Sequence, residues 1–293
     1  MRTYIALSIA VLAFAVAGAV AADREPAAAQ AGKSQTVTGT AGSVQLPGGR
    51  AAKGCDGLPD AKRLKQLVAE APNSGDAGGF AGAHAEWAAV VNREGVLCTL
   101  VVATSDPAAA WPGSKGIAIA KAFTANGFSS DTIPMSTARL YTMSLPGHSL
   151  WSAANGNPLN PQCLTAPSQK DPTGQVCGGT IAFAGGLPLY NGKTRIGGLG
   201  PSGDTPCADH EVAKRMRRSL KLDPPTGPLA DDIVYAGVDP PSIYAHPLCP
   251  NTWRNGEHIG DEGTELAGNG IARPSRPGAP PAPSPTPAAS GGK

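Results

Sequence analysis

The sequence contains no C-x-x-C pair and no C-x-x-C-H run, which excludes the zinc-ribbon and covalent c-type haem readings. It also lacks a charge excess. Net charge is +2, and without Arg2 the 24 basic residues fall to 23 against 22 acidic ones. Such balance excludes strong field-driven attraction to nucleic acid or to an anionic membrane. Only one apolar run has spanning length. No G-x-S-x-G nucleophile elbow occurs either, since "GPSGD" and "PGHSLW" both lack the second glycine at the required place. No Ser-His-Asp arrangement is signalled, so enzymatic activity is left undecided, with the balance against it.

The one apolar run stands at the N-terminus. Arg2 precedes "YIALSIAVLAFAVAGAV", and small residues lead to Ala21 and Ala22 before "DREP". This is the pattern of a signal peptide over residues 1–22. The alternative is an uncleaved anchor, because a run of about 17 residues lies at the short end of what crosses a bilayer. The expected mature protein is soluble and periplasmic or secreted. Six cysteines, Cys55, Cys98, Cys163, Cys177, Cys207 and Cys249, then read as disulfides, with metal binding as the rival reading and the choice among about fifteen pairings open.

Composition divides the rest. Residues 23–54 are small and polar and residues 268–293 are rich in proline, so neither offsets its ordering entropy by burial. Between them, 55–222 has the size of one domain, and 223–267 reads as an irregular extension. In the domain, Leu58, Leu64, Leu67 and Val68 recur at helical spacing. "AEWAAVVN" and "VLCTLVVAT" flank "REG" as a hairpin. "SKGIAIAKAFTANGF" reads as a helix over 114–128 capped by Ser114. "GGTIAFAGGLPLYNGKTRIGGLG" gives three strands, 179–184, 187–190 and 194–200. Thr205 caps a last helix that begins at Pro206. An α/β fold satisfies this order: a single antiparallel sheet of about five strands flanked by helices.

"GLGPSG", residues 198–203, has the spacing of a dinucleotide loop. The strand before it is a hairpin arm, however, and the acid at the right distance, Asp223, is followed by two prolines, so the βαβ unit that chemistry needs is missing. Backbone geometry is the competing explanation. Gly197 and Gly198 would permit a close approach, and Gly203 would supply a left-handed turn before Thr205.

The wider stretch "GGLPLYNGKTRIGGLGPSGDTPCADHEVA" resembles the C-terminal signature of the GlcG/HbpS-type haem-binding family, which is related to the PduO C-terminal domain. Gly185 to Leu189 match its first half. Ile196 to Gly200, Ser202 and Gly203 match its second, and Asp209 and Ala213 follow. "SKGIAIAKAFTANGF" is similar to the family's helix with K-A-x-T-A, and residues 132–178 are an insertion. The resemblance implies a profilin-like arrangement, a homo-oligomer, non-covalent haem binding and, in some secreted relatives, action with a membrane sensor; a transporter would be another partner. The implied role is haem sequestration, transport or redox sensing. The alternative is an accessory protein or enzyme using the fold for a corrinoid or an organic acid.

Haem iron needs a nitrogen, sulfur or phenolate ligand beside an apolar slot. The insertion offers Arg139, Tyr141, Met143, His148 and Trp151 close together. His148 is the expected metal ligand, with Tyr141 and Met143 beside it and Arg139 facing a propionate. The competing reading makes them loop and core residues. His84 and His210 read as surface groups, and His246 with His258 and nearby acids is an alternative metal site.

Overall fold

The computed structural model describes residues 54–164 and 171–263. The expected signal peptide, residues 23–53 and the proline-rich tail lie outside the described residues.

Helix α1 (Ala61–Glu70) starts where the Asp60 carboxylate accepts the Arg63 N–H at 2.7 Å, filling one of the donors that a helix start leaves open. Strands β1 (Trp87–Asn92) and β2 (Leu97–Val102) form a hairpin turned by Gly95 at φ +83°. Helix α2 (Ser114–Phe128) follows, with Ser114 as its first residue and not its cap. The short α3 (Trp151–Gly156) precedes β3 (Leu187–Asn191) and β4 (Thr194–Ser202), which pair through a Gly192 turn. Helix α4 (Pro206–Leu220) is capped by the Thr205 hydroxyl, which accepts the Ala208 N–H.

The strands form one antiparallel sheet in the order β2-β1-β4-β3. Alternation along β1 assigns its faces. Ala88 and Val90 join Leu64, Leu67, Val212 and Met216 under α1 and α4. Trp87, Ala89 and Val91 join Ala118, Ile119 and Ala122 under α2. The result is a three-layer α/β/α arrangement in which the sheet is buried on both sides.

The sheet has four strands, not five. Residues 179–184 form no strand. Gly178 and Gly179 both take left-handed backbone, φ +69° and +88°, which a pleated ladder cannot continue. The next residues bond to side chains instead: the Thr180 hydroxyl accepts from Asn157, and the Ile181 N–H donates to the Thr124 hydroxyl.

"GLGPSG" lies mostly within β4, where its backbone pairs with β1, so no loop of free N–H groups faces a phosphate. A Cβ on Gly198 would stand 2.2 Å from the Ala122 carbonyl oxygen, and one on Gly200 2.3 Å from that of Ala118. These two glycines let α2 lie directly on the strand. Gly203 has no left-handed φ; a Cβ there would meet the Ala85 oxygen at 2.6 Å, so it too serves a close approach.

Residues 223–263 carry two further small sheets. β5 (Val234–Tyr235) pairs parallel with β6 (Ala245–His246), and β7 (Thr252–Arg254) forms a hairpin with β8 (Glu257–Gly260). The cysteine pairing left open by the sequence is Cys55–Cys98, Cys163–Cys177 and Cys207–Cys249. The last of these ties the start of α4 to the segment between β6 and β7.

Candidate functional site

Two of the residues in the recognised motifs meet in the interior. Lys121 on α2 is fully buried, and its Nζ lies 2.5 Å from Oδ2 of Asp209 on α4. The other oxygen of Asp209 accepts the Gly203 and Asp204 N–H groups at 3.2 and 3.0 Å. Asp204 in turn accepts from the backbone of Phe80, Ala81 and Ala83. The glycines of the signature make room: a Cβ on Gly185 would lie 2.5 Å from Lys121 Nζ. The Phe183 ring sits 5.2 Å from the same ammonium, a cation–π contact.

Glu86 completes this group. It is fully buried, and neither carboxylate oxygen has a hydrogen-bond partner. Burial, reinforced by the negative charge of Asp209, pushes its carboxyl well above the usual carboxylate range. Burial raises the Asp209 carboxyl as well, with Lys121 pulling it back, so of the two buried acids Glu86 is the one whose surroundings favour the neutral form more. With Lys121, Glu86, Asp204 and Asp209 all below a tenth exposed, the group pins α2, β4 and α4 together and does not face solvent.

A cleft open to solvent lies at the start of α2. It has a volume of about 530 Å³ and is lined chiefly by apolar groups, including Trp87, Pro107, Trp111 and Leu164, together with Lys115. Local sequence explains its shape. Asp106 caps a single 3-10 turn over Pro107–Ala109, which presents "AWPG" at the rim. Gly116 lets Leu164 and Leu159 rest on the helix, since a Cβ there would touch Leu164 at 2.7 Å. Trp111 is 54% exposed, Phe80 52% and Leu164 53%, and the Phe80 and Trp111 rings stack at 6.2 Å. Exposed apolar groups gathered at one concavity mark a ligand or partner site. Lys115 brings the one charge; its Nζ lies 5.7 Å from the Trp87 ring, and burial lowers its pKa against an opposing pull from Asp171.

The four residues expected at the site do not form one cluster. Arg139 donates from Nε to the Asp232 carbonyl at 3.2 Å and lies over the Tyr244 ring at 5.6 Å. Tyr141 has its ring 5.0 Å from that of His246. Both thus face the C-terminal extension. Met143 is half-buried, and its carbonyl accepts the Leu150 N–H. His148 is exposed on the turn before α3, and no hydrogen bond or ring contact joins its side chain to the other three.

His246 and His258 do not share a site. His258 stands exposed against the Trp253 ring at 5.7 Å. His246 is buried, with Nδ1 2.7 Å from the Pro247 carbonyl and Nε2 accepting the Ala184 N–H at 3.2 Å. Its desolvation pushes the imidazole pKa down to about 4. Next to it His210, also fully buried, has Nε2 3.3 Å from Asp232. Burial would raise the Asp232 carboxyl, but His210 and Lys214 outweigh it and hold it far below the usual range.

Sequence reasoning gave no role to Lys121, Glu86 or Trp111. The first was visible in K-A-x-T-A; Glu86 and Trp111 carry no motif of their own.

Comparison with known proteins follows the signature. Residues 77–217 match the family described as haem degrading protein HbpS-like. No curated protein matches the sequence. Among solved structures, the Klebsiella pneumoniae protein ORFY is 20% identical over 55% of this chain and 89% of its own, with a TM-score of 0.38. A PduOC:haem complex is 19% identical over 56% and 93%, with a TM-score of 0.40. HbpS is 20% identical over 55% and 86%, with a TM-score of 0.36. The match to the HbpS-like family thus covers residues 77–217, a little under half of the chain.

Proposed function

We propose that this protein is an exported haem-binding protein that holds haem non-covalently, for sequestration, transport or redox sensing. The observation that carries the reading is the Trp87–Trp111 cleft within a domain that matches a family described by its action on haem. The cleft's size and apolar lining suit a flat macrocycle, and Lys115 at its wall suits a propionate. No imidazole, thioether or phenolate lines it, so an iron ligand has to come from outside the lining. His148 and His84 are exposed imidazoles, while His210 and His246 are buried. His148 remains our assignment. Export is supported by the N-terminal apolar run and by three disulfides.

The test is titration of the purified chain with hemin, read in the Soret band. A saturable shift at micromolar protein is expected, weakened in Trp111→Ala and displaced in wavelength in His148→Ala. Absence of any shift removes the reading. A displaced band in His84→Ala alone moves the ligand to His84. Decay of the bound band under a reductant and oxygen would mark breakdown of haem as well as binding.

A further inference from the structure

The Cys207–Cys249 pair lies beside a buried imidazole. The two Sγ atoms and a ring nitrogen of His246 all fall within 4.8 Å of one another, and all three residues are buried. Two sulfurs and an imidazole are the donor set of thiophilic cations such as Zn²⁺ and Cu⁺. We propose that, once this disulfide is reduced, Cys207, Cys249 and His246 form a binding site for a thiophilic metal cation.

Three further features support the site. Cys207 is the second residue of α4, after the Thr205 cap and Pro206, where the N-terminal end of the helix favours a thiolate. The Cys207 N–H already points at Cys249 Sγ, 3.2 Å away, a donor that also stabilises negative sulfur. His246 is held by the Pro247 carbonyl at Nδ1, the outer contact that orients metal-bound histidines, and a cation taken at Nε2 would replace the Ala184 N–H that this nitrogen now accepts. The ligands come from α4, from β6 and from the segment before β7, so a bound ion would bridge the same elements that the disulfide joins.

The chemistry balances with a phosphine as reductant. The phosphine attacks one sulfur, the S–S bond breaks, and water delivers the oxygen of the phosphine oxide and the protons of two thiols. Metal binding then displaces those two protons and leaves the imidazole neutral throughout. The site does not depend on the haem reading, since it uses none of the cleft residues.

Co²⁺ is the probe, added without oxygen to the full chain reduced by a water-soluble phosphine. The expected result is one equivalent bound, with a near-ultraviolet sulfur-to-cobalt charge-transfer band, visible bands of a tetrahedral centre and release of two protons per ion. Cys163→Ser keeps the band. Cys207→Ser removes it, and His246→Ala weakens binding by about tenfold or more. Zn²⁺ should displace Co²⁺ and bleach the spectrum. The proposal is overturned if the reduced chain gives no such band, if the band survives Cys207→Ser, or if His246→Ala binds as tightly as the parent. That last outcome also covers a chain that unfolds on reduction and binds cobalt through loose thiols, with far-ultraviolet circular dichroism recording the unfolding. Equal binding by the oxidised chain overturns it too.

Discussion

Lys121 Nζ lies 2.5 Å from Asp209 Oδ2, joining a helix on one face of the sheet to a helix on the other. The contact passes the end of β4, where Lys121 also reaches the Pro201 carbonyl at 3.4 Å. The glycines of the signature, its Asp209 and the Lys121 of the K-A-x-T-A helix thus belong to one device. Gly198 and Gly200 bring α2 down onto the strand, and that approach carries Lys121 to Asp209.

Removing the lysine should be costly. Lys121→Met takes away the cation that contacts the buried Asp209 carboxyl, so it should lose about 3–5 kcal/mol of stability. Lys121→Met combined with Asp209→Asn should recover part of that loss, because the neutral pair no longer leaves that carboxyl without its cation. Urea unfolding of the two variants decides this. A double variant less stable than the single one would show that the ion pair is not what couples the helices.

Glu86 gives a pH dependence of definite sign. Its folded-state pKa is raised by burial first and by Asp209 second, so above a free glutamate's pKa the folded chain holds a proton that the unfolded chain has released. The stability this group contributes is complete below the unfolded pKa and is lost as pH rises toward the folded value. Glu86→Gln keeps the shape without the titration. It should match the parent near pH 4 and exceed it increasingly as the pH rises toward about 8. Denaturation midpoints across that range measure the difference, and parallel curves for the two proteins would contradict the assignment.

Glycine substitutions separate close approach from mere flexibility. Gly198→Ala puts a Cβ 2.2 Å from the Ala122 oxygen and 3.0 Å from the Asn126 nitrogen, both backbone atoms of a packed helix that cannot swing aside. A loss of about 1–3 kcal/mol or more is expected. Gly127, inside α2, has nothing within 4 Å of such a Cβ and no left-handed φ. Gly127→Ala should therefore stabilise the chain by up to about 1 kcal/mol. Thermal unfolding of both variants should show shifts of opposite direction.

What the sequence made legible was local. Thr205 and Pro206 marked the start of α4, and the apolar spacing of 114–128 marked α2, because caps and periodicity act within a few residues. The strand expected at 179–184 failed for an equally local reason that composition hides: "GGTIAFA" has strand-like residues, but its two leading glycines take left-handed backbone. The site was less legible. Lys121 and Asp209 are 88 residues apart, Glu86 belongs to no motif, and the cleft joins Trp111 to Leu164 only after folding. Arg139 and Tyr141 looked like neighbours of His148 in sequence, yet the chain turns them toward the C-terminal extension.

That extension is fastened by Arg217. The guanidinium is fully buried, with NH1 and NH2 2.8 and 2.7 Å from the two oxygens of Asp231, and it also donates to the Pro188 and Pro228 carbonyls. One side chain on α4 thereby holds β3 and the residues that lead into β5. A lysine offers one point charge where this site uses a planar fork. Arg217→Lys should then cost about 2–4 kcal/mol, as a buried Asp231 is left partly unpaired. The loss should be felt first in the extension, although Cys207–Cys249 still tethers it. Limited proteolysis should show earlier cleavage between residues 223 and 245 in Arg217→Lys than in the parent, with the 55–222 domain still intact. Cleavage at the same rate would mean that the disulfide and the core around Tyr235 hold the extension without the arginine.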